Sequence, residues 1–200
     1  MHAHTSLKTD QSDNYLTELI GLAASGDQQA FAELDGMFRQ RVTGFLVRAC
    51  GDHWLADELT NETFMRAYRS LASYKGSTIQ QFQSFLFTIS ANLLRDHLRR
   101  RPSPAALGED QAQQIPSQDS TAEPLETEER QHMLRQAMSQ LAPDDAMLIS
   151  LAHLKDIPTE EIATVLGKPS TQAVRAALCR AMRHLREILI RQGYFSQVPA

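Results

Sequence analysis

The feature that most constrains the fold of this chain is the spacing of its large apolar residues. They recur at intervals of three and four almost from end to end, and the period-two alternation of a half-buried strand is missing. Leu19, Leu22 and Ala23 begin the pattern, and Phe31, Leu34, Phe38, Val42, Phe45 and Leu46 carry it on. After the break at "CGDHW", Leu55, Leu59, Thr63, Ala67 and Leu71 follow at steps of four, with Phe64 and Tyr68 beside them. Such stripes bury as one face of an amphipathic helix, so the fold class is all-α. Asp27 reads as the N-cap of the second helix, "SYKGSTIQQ" as a loop, and Phe82 to Arg100 as another long helix.

Beyond Arg100 the composition shifts. The stretch "RPSPAALGEDQAQQIPSQDSTAEPLETEE" is rich in Pro, Ser, Gln and acid, and between Pro102 and Glu129 there is no Lys or Arg. It holds too little apolar surface to offset the entropy of ordering it, which makes it a flexible acidic linker. Helical periodicity returns with Met133, Leu134, Ala137 and Leu141, then Met147, Leu148, Leu151 and Leu154. The expected organisation is a disordered tail over 1–14, a helical domain over 15–101, the linker over 102–129, a second helical domain over 130–191 and a tail over 192–200.

The net charge of −4 hides a segregation, since "LLRDHLRRR" and "VRAALCRAMRHLREILIR" are strongly basic while the linker is acidic. The two cysteines, Cys50 and Cys179, stand far apart in no CxxC pair and read as reduced thiols. No apolar run approaches the length of a membrane span, and the polar start lacks the core of a signal peptide, so the cytoplasm is the expected compartment. Neither a metal-ligand spacing nor a cofactor motif is present, and no metal or cofactor is expected.

The most readable motif lies near the C-terminus. Pro158 and Thr159 begin a helix, with Thr159 as its expected N-cap and Glu160 and Glu161 complementing the positive helix end. Ala163 offers the small side chain that crossing helices need, and Gly167 ends the helix in a left-handed turn. Ser170 or Thr171 caps a second helix whose seam is Val174, Leu178, Ala181, Leu185 and Ile188. Its opposite face shows Gln172, Arg175, Cys179, Arg183 and Arg186, with Arg180 on the flank. A helix apolar behind and rich in Arg in front fits the DNA major groove, where Arg pairs with guanine, Gln with adenine, and spare Arg with phosphate. The turn is irregular. Val174 falls seven residues after Gly167 where six is usual, so either the turn carries one extra residue or Ala173 takes the buried place.

Asp57, Glu58, Asn61 and Glu62 crowd one face of the helix "DELTNETFMRAYRSL", opposite its apolar seam. Three readings of that face are open: a solvated surface, a carboxylate pair for acid–base chemistry, or a docking surface for a large partner. No pocket-forming pattern, His partner or metal-ligand spacing accompanies the carboxylates, which leaves little for catalysis.

The segments "ADELTNETFMRAYRSL", "FQSFLFTISANLLRDHLRRR" and "LAPDDAMLISLAHLKDIPTEEIATVLG", in this order around an acidic tether, resemble the extracytoplasmic-function group of bacterial sigma-70 factors over Gly26–Arg101 and Arg130–Leu189. The resemblance implies a non-enzymatic subunit with a region 2-like domain and a region 4-like helix-turn-helix domain. It also implies three partners: core RNA polymerase, through the clamp coiled coil of its largest subunit and its flap, promoter DNA, and an anti-sigma factor.

On that resemblance Asp57, Glu58, Asn61 and Glu62 dock on the polymerase, Asn61 standing where Gln is usual. Tyr74, Lys75, Gly76, Phe82, Asn92, Asp96, Arg99 and Arg100 match positions at the −10 element. Lys168, Ser170, Thr171, Gln172, Arg175, Cys179, Arg180 and Arg183 form the expected −35 surface. Several positions depart from the family pattern. Gln83, Phe85 and Ala91 replace Arg, Trp and Arg, Ala177 and Met182 stand where Arg is common, and the loop after Gly76 is longer by two residues. Fewer cations mean weaker phosphate binding. Two alternatives stand beside this reading: a stand-alone regulator that uses only the C-terminal helix-turn-helix, and a sigma-shaped mimic that has lost promoter binding, which Ala91 and Ala177 favour.

Overall fold

The computed structural model describes residues 3–76, 78–100, 125–154 and 157–194, with side chains from residue 14 in the first segment and residue 129 in the third. The described residues form α-helices and one short 3₁₀ turn. In chain order these are α1 (Ala3–Ala24), α2 (Gln28–Cys50), α3 (His53–Ser70), the turn Leu71–Ser73, α4 (Ile79–Arg100), α5 (Leu125–Ser139), α6 (Pro143–Ala152), α7 (Thr159–Leu166) and α8 (Thr171–Arg191).

Local chemistry sets most of these boundaries. The Asp27 carboxylate accepts from the amides of Gln29 at 2.8 Å and Ala30 at 3.1 Å, two donors that the first turn of α2 cannot satisfy itself. Gly51 ends α2 at φ 73°, the left-handed conformation that glycine adopts without a Cβ penalty. Asp52 then caps α3 by accepting from the Leu55 amide at 3.0 Å. The long α1 differs from expectation, since the helix starts at Ala3, inside the stretch read as a disordered tail. Within it Ile20 is buried and Leu22 is 45% exposed, so the buried stripe is Leu19, Ile20 and Ala23.

The stripes legible in the sequence become one core. Leu34, Phe38, Val42, Phe45 and Leu46 of α2 meet Leu55, Leu59, Phe64 and Ala67 of α3, and Phe82, Leu86, Phe87 and Leu94 of α4. Aromatic edges lock α2 on α4: Phe38 meets Phe82 at 5.5 Å and Phe45 meets Phe87 at 5.5 Å, edge to face at 67° and 88°. The same core continues into the second half of the chain. Met147, Leu148 and Leu151 of α6, Ile162, Ala163 and Val165 of α7, and Val174 and Ala177 of α8 belong to it. Helix α6 packs on α2, and α7 packs on α4. A smaller cluster of Ala137, Met138, Leu141, Ala146, Leu185, Ile188 and Leu189 ties α5 and α6 to the far end of α8. The expected linker lies outside the described residues from 102 to 124, and α5 occupies its last five positions.

Candidate docking and nucleic-acid interfaces

Helix α3 presents two opposite faces, as its periodicity requires. Leu55, Leu59, Thr63, Ala67 and the following Leu71 are buried, while Asp57, Glu58 and Asn61 are exposed and Glu62 is half-buried. Two of these four polar side chains are held in place. Arg39 of α2 donates from Nη1 to the Asn61 Oδ1 at 2.7 Å, and Arg66 donates from Nε to a Glu62 carboxylate oxygen at 2.7 Å. Arg39 is itself fixed by a two-pronged ion pair to Asp35, at 2.8 Å on each prong, and by its position 5.1 Å from the centre of the Phe64 ring. A planar guanidinium held by a fork and a ring is more rigid than a solvated lysine, so Asn61 is presented in one orientation. Trp54 stands at the start of the same helix, 69% exposed, and Met65 lies further along it, also exposed. The sequence reading did not single out Arg39 or Trp54. The Asp35–Arg39 spacing of four was visible, but its reach to Asn61 crosses between helices.

The loop before α4 is organised by aromatic contacts. Tyr74 lies 5.9 Å from Phe82 and 4.9 Å from Phe85, ring centre to ring centre. Its hydroxyl is buried with no hydrogen-bond partner. Burial, and secondarily the nearby Glu161 carboxylate, push the phenol up to about 12. The hydroxyl lies over Gly76 so closely that a Cβ there would require the Tyr74 ring to shift. Lys75 is exposed.

Phe82 requires a correction. It was expected on the −10 surface, but it is 0% exposed, enclosed by Phe38, Tyr74 and Phe85. Its spacing along α4 puts it on one face with Leu86, four residues on and also buried, while Phe85 is only half-buried. Ala91 is likewise wholly buried, so an arginine there would have no room.

The remaining expected residues of α4 sit on its second half. Asn92, Arg99 and Arg100 are exposed and Asp96 is half-buried. Asp96 accepts from Arg99 at 3.0 Å, and Asn92 accepts from Arg95 at 2.8 Å. Arg95 also donates to Asp144 of α6 at 3.1 Å, a pairing across the chain that spacing alone could not reveal.

The C-terminal pair of helices has the expected turn, with one shift. Helix α7 starts at Thr159 itself, Pro158 occupying the cap position without a side-chain bond, so Thr159 is not the N-cap. Gly167 closes α7 at φ 63°, and the Lys168 amide reaches back to the Ala163 carbonyl at 2.8 Å. The hydroxyl of Ser170 caps α8, accepting from the Ala173 amide at 3.1 Å. Val174 is buried and Ala173 only half-buried, so the turn carries the extra residue. The buried side of α8 is Val174, Ala177, Ala181, Leu185, Ile188 and Leu189, with Leu178 half-buried. Ala177 therefore belongs to the core.

Facing solvent on α8 are Gln172, Arg175, Cys179, Arg180, Arg183 and Arg186. Lys168 and Thr171 are half-buried beside the exposed Ser170. A continuous Arg-bearing face of this kind, next to the positive N-terminus of α8, suits an anionic duplex. Cys50 and Cys179 form no disulfide, and the Cys50 thiol donates to the Asp52 carbonyl at 3.4 Å. Among the described residues no group of three or more His, Cys, Asp or Glu could hold a metal, and no helix is long and apolar enough to cross a membrane.

Comparison with known proteins agrees with this layout. The family description Sigma-70 region 2 matches residues 36–102, and Sigma-70, region 4 matches residues 131–185. The RNA polymerase sigma factor CarQ of Myxococcus xanthus is 34% identical over 166 residues, covering 82% of this chain and 91% of that protein. The ECF RNA polymerase sigma factor SigE of Mycolicibacterium smegmatis is 32% identical over 176 residues, covering 85% of this chain and 66% of that longer protein. Among solved structures, the sigma factor RpoE from Bartonella quintana, crystallised with the anti-sigma factor NepR, superposes with a TM-score of 0.60 at 20% identity, covering 80% of this chain and 96% of that one.

Proposed function

The chain belongs to the extracytoplasmic-function group of the sigma-70 family, and from that premise we propose that it is a dissociable promoter-specificity subunit whose α3 face docks on core RNA polymerase. Asp57, Glu58, Asn61 and Glu62 meet a basic partner surface, the clamp coiled coil of the largest subunit, and charge complementarity steers the encounter and sets its orientation. The flap of the polymerase takes the second domain. The protein performs no bond chemistry of its own, since nucleotide addition belongs to the polymerase. It works in the cytoplasm, where the polymerase and its templates are.

Promoter reading is divided between the two halves. Tyr74, Lys75, Gly76, Asn92, Asp96, Arg99 and Arg100 contact the −10 element, where a base leaves the stack and is captured beside aromatic and polar side chains. Phe82 supports that surface from beneath. Gln172, Arg175, Cys179, Arg180 and Arg183 read or hold the −35 element in the major groove, with Lys168, Ser170 and Thr171 at the phosphates. An anti-sigma factor is the expected antagonist, as in the complex of the related RpoE.

The observation that carries the docking assignment is the exposed acidic–amide face of α3, backed by a fully buried seam and braced by Arg39 and Arg66. Reversing Glu58 and Glu62 to Lys is expected to abolish association with purified core polymerase while the helical circular-dichroism signal stays. Unchanged association would sink the assignment. Arg175→Ala is expected to weaken binding to −35 DNA selectively, and an equal loss on all DNA would reduce Arg175 to a phosphate contact.

A further inference from the structure

The solvent side of α3 is not polar throughout. Trp54 is 69% exposed, and Met65 and Tyr68 are exposed on the same helix. At about 100° per residue, Trp54, Asn61 and Met65 fall within roughly 20° of one line along α3. Asp57 and Tyr68 flank that line on one side, and Glu58 and Glu62 on the other. The acids are therefore the rim of this face. Its centre is a single amide between two large apolar side chains, roughly 16 Å apart along the axis. Trp54, Glu58, Asn61, Met65 and Tyr68 follow at steps of four, three, four and three, the seam of a helix that packs lengthwise on another helix. A lone exposed apolar residue is ordinary, but a row of them at seam spacing marks a contact face. The ridge is also held stiff. Asp52 caps the first turn through the Leu55 amide at 3.0 Å, which fixes the backbone under Trp54. Arg39 donates to the Asn61 Oδ1 at 2.7 Å, leaving that amide's N–H donors for a partner. Tyr68 is backed by Phe31, with ring centres 5.0 Å apart.

We propose that Trp54 and Met65 are the anchors of the α3 docking face, seated in an apolar groove between helices of core RNA polymerase whose edges are basic, while Asp57 and Glu58 steer the approach. Their role rests on the docking reading above and locates its affinity. Two features select the occupant. The seam spacing needs a partner that runs alongside α3 as a helix, and the flanking carboxylates need Lys or Arg at its edges. Acids at the centre of such a contact would have to lose their water. With acids at the rim, the indole of Trp54 is desolvated instead, which favours binding and shields the charge pairs around it. Met65 is unbranched and adapts to the shape of the groove. Asn61, in the middle of the apolar line, sets register more than affinity, because a shifted partner would leave its donors buried and unpaired.

Association and dissociation of the full chain with purified core polymerase, followed by biolayer interferometry across a salt series, test this. Trp54→Ala is expected to weaken binding roughly 30-fold or more, nearly all of it as faster dissociation, with the salt dependence unchanged. Trp54→Phe is expected to recover most of that loss. Asp57→Asn combined with Glu58→Gln is expected to slow association and flatten the salt dependence, with dissociation little changed. Because Trp54 is exposed, helicity and melting temperature should match the parent in both Trp54 variants. In the holoenzyme, hydroxyl-radical oxidation of Trp54 and Met65, read by mass spectrometry, is expected to fall against the free chain. If Trp54→Ala dissociates at the parent's rate while the Glu58 and Glu62 reversals abolish binding, the anchor is overturned and the docking face stands. If neither changes binding, the docking reading fails and takes the anchor with it. An equal loss from Leu22→Ala, exposed on α1, would also overturn it, since affinity would then follow apolar area anywhere. So would a Trp54→Ala chain that binds core normally but loses a dimer of the free chain in sedimentation, which would give the stripe to a second copy.

Discussion

Phe82→Ala separates a core residue from a DNA-reading one. The Phe82 ring is 0% exposed and has three aromatic neighbours, Phe38 at 5.5 Å, Tyr74 at 5.9 Å and Phe85 at 6.2 Å. Truncating it removes the transfer free energy of a fully buried ring, roughly 1.5–3 kcal/mol. It also leaves a cavity bounded by helices that cannot all collapse, which brings the expected loss to about 3–5 kcal/mol. For a chain of this size each kcal/mol lowers the melting temperature by roughly 2–4 °C, so the expected drop is on the order of 6–20 °C. Thermal unfolding followed by circular dichroism measures it, with Met65→Ala on the exposed side of α3 as a control expected to stay within about 0.5 kcal/mol. If Phe82→Ala melted within about 2 °C of the parent while promoter binding was lost, the ring would be a surface contact and the packing account would be wrong.

Three further outcomes are expected. Gly76→Ala places a methyl where the Tyr74 hydroxyl lies, so the ring must leave its burial and its phenol should titrate nearer 10 than about 12 in a near-ultraviolet alkaline titration. Glu161 is raised above its ordinary 4.5 by burial and then by Glu160, with Ser84 and Tyr74 facing it from the first half of the chain. A carboxyl raised in the folded chain contributes stability that is fully present below the ordinary value and is lost as pH rises through the raised one, which thermal unfolding across that range would follow. Asp27→Ala removes the cap on two amides of α2 and should cost about 1 kcal/mol, with faster amide exchange confined to the first turn of that helix.

How far the sequence could be read depended on the range of the interaction. The cap at Asp27 and the glycine turn at Gly167 are encoded within four residues and could be placed from spacing, while spacing left Ser170 and Thr171 both open as the cap of α8. The α3 seam was equally legible, because steps of four leave few ways to orient a helix. The start of α7 moved by one residue because Pro158 supplies a fixed φ and takes the cap position without a side-chain bond. Phe82 took a −10 role from the resemblance, while helical periodicity puts it one turn from the buried Leu86, on the core side. Contacts between distant helices were invisible. Nothing in the order of residues announces that Arg39 holds Asn61, that Arg95 meets Asp144, or that Ser84 meets Glu161. These contacts are what decide how the docking and reading surfaces are presented.

The most direct test of the account is run-off transcription with purified core RNA polymerase and fragmented genomic DNA, with and without this protein. Discrete transcripts that depend on the protein and vanish with the Glu58 and Glu62 reversals are the predicted result. Transcripts unchanged by those reversals would contradict the docking face, and a stable complex with core that yields no transcripts would contradict promoter recognition.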